Sequence, residues 1–416
     1  MLKNLRQVLA RRQNVRAHFW QSLANYTQAA SGMMLGVVLA RLLEPSIFGE
    51  FVFITASLGF VMIPVSFSTA QLLISDAGKT PDLFKRVWGL ATLVCIVKSI
   101  LVVCFVAYWF WRGEAIRAQI SGLVGIPMVF SDYLVALRYD LEGGGRFKPN
   151  FFAQVIDILV QASVSITLVL NGYGIYGLAW GGLIGTAVQA CYYTLLSGRK
   201  ISPALLPPSL LLRQVRAGFW LWLSSVSSNW YSRVDKILLG HFGGAAELGY
   251  YNRAMNYGPV SHILLNSLMT NAAIRSLSCE QTVRRKRLLF LKTMALLLAA
   301  ACINGLFWHF FADPLVPLIF GAQWQPAAKS FSILGWLGVP YALLFGSAAL
   351  LYSYSRYTTI ALVQAGSLIL LVSLLWLKGA SSTLTSMDSA FIFCASMMAG
   401  GLVMLTVAIG SLFRRA

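Results

Sequence analysis

Acidic residues are scarce in this chain, 14 in 416 positions, and charged residues of both signs make up only 11%. Soluble globular domains carry about 25% charged residues. A soluble chain of this length would form two or three domains, each needing a polar exterior. The shortage excludes that arrangement. Enzyme signatures are missing too: there is no HExxH, no GxSxG and no nucleotide-binding stretch. Gly143-Gly144-Gly145 is followed by no Lys-Ser or Lys-Thr pair and preceded by no strand, so it reads as a flexible turn rather than a phosphate loop. The six Cys, at 95, 104, 191, 279, 302 and 394, form no CxxC and stand at no metal-ligand spacing from the four isolated His. Five lie in apolar runs, where Cys behaves as a small hydrophobe, so neither a disulfide nor a zinc site is expected.

What is abundant is apolar length. Hydrophobic residues make up 57% of the chain and the mean hydropathy is +0.69. A bilayer core about 30 Å thick needs about 20 such residues in a helix. Windows of that kind fall near 17–40, 46–70, 87–110, 116–137, 149–170, 174–197, 217–240, 250–274, 288–312, 326–351, 357–378 and 386–411. The spacing predicts an all-α membrane protein with 12 transmembrane helices. The first window follows five bases without an acid and is longer than the apolar core of a signal peptide, so it reads as an uncleaved first helix.

The net charge of +19 is explained by topology and needs no nucleic acid. With the N-terminus in the cytoplasm, 24 Lys and Arg fall in cytoplasmic segments and six outside, which places both termini in the cytoplasm. Lys98, Arg233 and Lys236 lie within predicted spans.

The two halves of the chain echo one another. Arg16-Ala17-His18-Phe19-Trp20 recurs as Arg216-Ala217-Gly218-Phe219-Trp220, and the same 200-residue offset aligns Phe48-Gly49-Glu50-Phe51 with Leu248-Gly249-Tyr250-Tyr251. Helix 1 pairs with helix 7, each after a basic segment. Two six-helix bundles, residues 1–200 and 201–416, are expected, related by a pseudo-two-fold axis along the membrane normal. Transporters of that design bind substrate between repeats and alternate access to it.

The stretch Ala40-Arg41-Leu42-Leu43-Glu44-Pro45-Ser46-Ile47-Phe48-Gly49-Glu50-Phe51 resembles the first-loop signature of the polysaccharide transporter family. So do Arg233-Val234-Asp235-Lys236-Ile237-Leu238-Leu239-Gly240 and Glu247-Leu248-Gly249-Tyr250-Tyr251-Asn252-Arg253-Ala254. These are Wzx-type flippases of lipid-linked oligosaccharides, within the multidrug/oligosaccharidyl-lipid/polysaccharide exporter superfamily. The resemblance implies a MATE-like fold with helices 1, 2, 7 and 8 around a central cavity. It also implies a function: moving undecaprenyl-diphosphate-linked repeat units from the cytoplasmic to the periplasmic leaflet of the bacterial inner membrane. Such units supply O-antigen, capsule or exopolysaccharide. Implied partners are that glycan lipid, the surrounding membrane lipids, and the polymerase and chain-length regulator of the same pathway.

Candidate cavity residues follow from polarity inside spans. Helix 1 carries Asn25 and Gln28 on a small, polar stripe; helix 7 carries Ser225, Ser228, Asn229 and Ser232, then Arg233, Asp235 and Lys236. Such stripes line cavities or pack helices. Charge inside a span usually faces a cavity or a partner, and a diphosphate crossing low dielectric needs fixed cationic donors to replace its water. The competing reading pairs Asp235 with one of these bases to hold the helix end.

Arg41 and Arg253 fall at the predicted periplasmic mouth, as cavity residues or interfacial anchors. Asp157 in helix 5 has two open readings: a proton- or sodium-coupling carboxylate, or a buried partner for a base such as Lys98. Arg284-Arg285-Lys286-Arg287 is expected to meet anionic lipid. No cofactor is expected, and with no nucleotide site the drive would come from a proton or sodium gradient or from consumption of product.

The alternative function is a cation-coupled multidrug exporter of the same superfamily, which needs acids facing the cavity. Helix 1 has none. A glycosyltransferase or polymerase would need a substantial loop domain, and every loop here is short.

Overall fold

A computed structural model describes residues 20, 23–24, 26–65, 83–143, 146–197, 208–259, 282–354 and 356–413. Twelve helical elements occur among them, in chain order. They are α1 (26–42), α2 (Pro45–Met62), α3 (Leu83–Trp111), α4 (Ala115–Gly143), α5 (Phe147–Leu170) and α6 (Ile175–Ser197). The second half supplies α7 (Pro208–Phe242), α8 (Ala245–Tyr257), α9 (Val283–Phe320), α10 (Ala322–Ser353), α11 (Tyr357–Ser381) and α12 (Ser386–Phe413). No strand occurs among the described residues. The all-helical architecture expected from hydropathy is the one observed.

Eight of these helices are long and apolar enough to cross a membrane. The exceptions are informative. Part of the first expected span, and most of the eighth beyond Pro259, lie outside the described residues, and the sixth, Ile175–Ser197, is diluted by glycine, tyrosine and glutamine. The seventh helix falls short because hydroxyl and charged side chains dilute its apolar run, and this is the helix on which the candidate site is built.

Contacts divide the chain into two compact units. One takes Met1–Leu42 and Val61–Ala217; the other takes Leu43–Phe60 with Gly218–Ala416. Most of α2 thus belongs with the second half of the chain.

In the first unit, α5 and α6 form a tight pair. Gly177, Gly181 and Gly185, one turn apart on α6, let the backbones approach: a Cβ on Gly181 would overlap Ser165 and Gln161 of α5, and one on Gly185 would meet Asp157. Small residues at such spacing are what membrane helices use to pack where lipid offers no hydrophobic drive. Trp88, Tyr133, Leu137, Leu141 and Tyr193 fill the core where α3, α4 and α6 meet.

In the second unit α10 packs between α9 and α12. It is a composite rod, 3-10 over Ala322–Ala327 and Gly335–Leu337, α-helical over Ala328–Leu334 and Gly338–Ser353. A 3-10 step leaves backbone groups without their α-helical partners. Asn304 of α9 meets that need at Gly335, its Nδ2 donating to that carbonyl at 2.8 Å, and it also donates at 2.8 Å to the carbonyl of Gly258 at the end of α8.

Candidate substrate site on α7

Helix α7 presents two working faces within its unit. The first meets α2. Trp230 stacks on Phe60 with ring centroids 4.7 Å apart and its Nε1 donates to the Phe60 carbonyl at 3.0 Å. One turn on, Arg233 reaches along the same seam. Its Nη1 donates weakly to the Thr55 carbonyl at 3.4 Å, and its guanidinium lies against Gly59, where any side chain would collide with it. Gly59 is therefore the clearance that lets a large cation sit between two membrane helices.

Asp235 is fully buried and accepts a hydrogen bond from the Tyr251 hydroxyl of α8 at 2.6 Å. Among the described residues it makes no ion pair, so the expected local pair with Arg233 or Lys236 does not form. Tyr251, which the sequence left in its repeat motif without a role, holds one oxygen of this carboxylate, while Oδ1 stays buried without a hydrogen-bond partner among the described residues. Arg233 and Lys236 likewise have no carboxylate within salt-bridge distance among the described residues. Two cations on one membrane helix are left with capacity for an outside anion.

The second face opens into a cavity of about 210 Å³. Ser228, Asn229 and Ser232, expected from the polar stripe, line it, and Ser227 and Tyr231 join them. The far walls, from α10, α11 and α12, include Tyr341, Phe345, Gln364 and Ser367. These were not legible in sequence, because one polar residue in an apolar window carries no periodic signal. Asn229 is oriented by donating from Nδ2 to the Ser225 carbonyl at 2.8 Å. Tyr231 is anchored by Ser396 at 2.7 Å.

Other expected residues sit elsewhere. Asn25 lies outside the described residues. Gln28 and Arg41 are on exposed positions of α1, and Ser225 is exposed beside the cavity rather than lining it. Lys236 is half-buried. Arg253 is 2% exposed. It is sealed under aromatic rings, its guanidinium 3.6 Å from the Phe48 centroid and 5.4 Å from that of Trp324. Charge stabilised against ring faces fixes the start of α2 on α8 and α10; neither an open cavity position nor an interfacial anchor describes it.

Lys98 does not pair with Asp157. Its ammonium donates to Asp132 Oδ2 at 2.6 Å, Ser131 Oγ at 3.0 Å and the Met128 carbonyl at 3.3 Å, so all three protons are used. Asp132, one helix away, is the partner that sequence analysis missed. Asp157 lies half-buried on the α5–α6 seam against Gly185.

Residues 38–329 match the model of a family described as polysaccharide biosynthesis protein. Over 128 residues the chain is 26% identical to the teichuronic acid biosynthesis protein TuaB of Bacillus subtilis (strain 168); the match covers 30% of this chain and 26% of that protein. The fold is similar to an inward-facing multidrug resistance MATE family transporter of the MOP superfamily. That likeness has a TM-score of 0.73 at 12% identity and covers 94% of this chain and 98% of the other. It is equally similar to the lipid II flippase MurJ in an inward closed conformation, with a TM-score of 0.72 at 12% identity over 93% and 86%.

Proposed function

We propose that this chain, which belongs to the polysaccharide biosynthesis protein family, is a multi-pass membrane transporter that flips a polyprenyl-diphosphate-linked glycan. The observation that carries the reading is the pair of α7 cations, Arg233 and Lys236, without a carboxylate partner among the described residues. Two half-buried cations against the single nearby carboxylate of Asp235, with no ion pair formed among the described residues, leave an excess of positive charge that is costly in a membrane. Its retention is explained if an anionic headgroup completes the charge during transport. A cationic drug would meet repulsion there, which is why the exporter alternative is set aside.

In this reading the substrate is an undecaprenyl-diphosphate repeat unit, and movement is from the cytoplasmic to the periplasmic leaflet of a bacterial inner membrane, with both termini cytoplasmic. The helices supply fixed donors in place of water for the diphosphate, which lowers the cost of its passage. The drive is a proton or sodium gradient, or removal of product on the far side.

The test is mass spectrometry of membrane lipids from a strain lacking this gene. Build-up of one complete diphosphate-linked repeat unit, relieved by the wild-type gene and not by Arg233→Ala at equal membrane abundance, is the expected result. An unchanged lipid profile in a strain with an active glycan pathway and no second flippase would overturn the proposal.

A further inference from the structure

The cavity on the second face of α7 differs chemically from the Arg233 seam. Among the described residues no Asp, Glu, Lys, Arg or His lines it. Its walls offer hydroxyls from Ser227, Ser228 and Ser232, amide groups from Asn229 and Gln364, and two rings, Tyr341 and Phe345, whose centroids are 5.6 Å apart with planes inclined by 32°.

Some of that polarity has no internal use. Ser227 is only 5% exposed, lines the cavity and has no hydrogen-bond partner among the described residues. Ser228, beside it, is exposed and also has none. A hydroxyl at a cavity wall with no internal partner is open to a water or a ligand that can bond it. By contrast Ser232 and Ser367 are already turned back onto their own helices, donating to the Asn229 and Val363 carbonyls at 2.9 Å. The open capacity is therefore concentrated on Ser227 and Ser228, opposite the aromatic wall.

Neutral donors and acceptors on one side and ring faces on the other match a sugar, which presents hydroxyls at its edge and C–H groups on its faces. The size agrees. About 210 Å³ lies below the roughly 300–1,000 Å³ of drug-sized sites and suits one ring rather than a whole repeat unit. A metal cation fits less well, since hard cations are held with carboxylates or dense oxygen cages and no carboxylate lies at the wall among the described residues.

We infer that this α7–α10–α11–α12 cavity is a saccharide subsite that binds one uncharged sugar ring of the transported lipid and sets which glycan is accepted. The inference rests on the flippase reading and adds to it a division of labour. The α7 cations hold the diphosphate, common to all such lipids; the neutral cavity reads the sugar, which differs between them.

The test uses the full chain in lipid nanodiscs and two probes. One is the host's own diphosphate-linked glycan lipid, extracted from a strain lacking the transporter; the other is bare undecaprenyl diphosphate. Ser227→Ala with Ser228→Ala, and separately Gln364→Leu, are each expected to weaken glycan-lipid binding about tenfold, the scale of one or two hydrogen bonds, with bare-lipid affinity unchanged. Arg233→Ala is expected to weaken both probes alike. The serine double variant removes only two oxygens, so it guards against a folding defect in the glutamine variant. Equal affinity of wild type and both variants for the glycan lipid would overturn the subsite. So would intact sugar discrimination combined with a changed sodium dependence, which would make the cavity a cation site. Wild-type protein that binds neither probe would instead overturn the flippase reading itself.

Discussion

At the scale of single residues, a buried lysine and a half-buried arginine illustrate opposite uses of charge in a membrane. Lys98 spends all three ammonium protons inside the protein, with Asp132 at 2.6 Å. A closed pair of this kind is costly to halve, about 3–5 kcal/mol, yet often neutral to replace whole by apolar groups. Lys98→Met should therefore lower the thermal stability of detergent-solubilised protein markedly, and Lys98→Met with Asp132→Leu should recover most of it. If Lys98→Met left the melting temperature untouched while abolishing transport, the lysine would be part of the coupling machinery instead. Arg233 is the contrary case, with one weak carbonyl contact and a glycine clearing its path. Arg233→Lys should retain part of the lipid clearance that Arg233→Ala loses, since the point charge survives but the bidentate fork does not. Equal loss in both, at equal abundance, would mean that fork geometry is indispensable. Both lysine and arginine were visible in sequence as charge inside apolar windows. Their surroundings were not, because Asp132 beside Lys98, and Thr55 and Gly59 beside Arg233, are brought there by helix packing, which a window of hydropathy does not encode.

At the scale of elements, glycine position decides which helices can meet. Gly181 and Gly182 are neighbours on α6 with opposite surroundings. A Cβ on Gly181 would overlap Ser165 and the Gln161 carbonyl of α5, while one on Gly182 meets nothing within 4 Å. Alanine is the better helix former by about 1 kcal/mol, so Gly182→Ala should be neutral or mildly stabilising. Gly181→Ala should destabilise, because the backbone–backbone approach cannot relax. Comparing the monodisperse yield and melting temperature of the two variants checks this, and equal behaviour would show that the α5–α6 seam yields more readily than its geometry implies. The repeat motifs tell a related story. Gly49 packs on the Ala245 carbonyl and Gly249 on the Pro45 carbonyl, positions that correspond under the 200-residue offset. The weak internal repeat of the sequence is thus a reciprocal contact in the fold: the starts of α2 and α8 pack on one another through equivalent glycines. The sequence exposed the pair of motifs, while their contact became visible only in three dimensions.

At the scale of the whole molecule, charge alternates between successive connections. The links from odd to even helices are tight: Leu43–Glu44, Arg112–Glu114, Asn171–Gly174, Gly243–Gly244, Gly321 and Ser382–Thr385. Gly113, Gly172, Gly244 and Gly321 supply left-handed φ values of 77°, 84°, 87° and 107° there, which other residues adopt at a cost. Basic residues gather in and beside the links from even to odd helices, among them Arg146, Arg356 and the Arg284–Arg287 cluster in the first turn of α9. Basic segments are retained in the cytoplasm, so the tight turns should face the periplasm. Single cysteines placed at Tyr173 and Thr383, both exposed in tight turns, and at Arg285, exposed at the start of α9, test this in a background free of the six native Cys. In spheroplasts a membrane-impermeant maleimide should label the first two directly and the third only after permeabilisation. Labelling of Arg285→Cys from outside, with the turns protected, would invert the chain. The cationic α7 site would then have to be read for transport in the opposite direction.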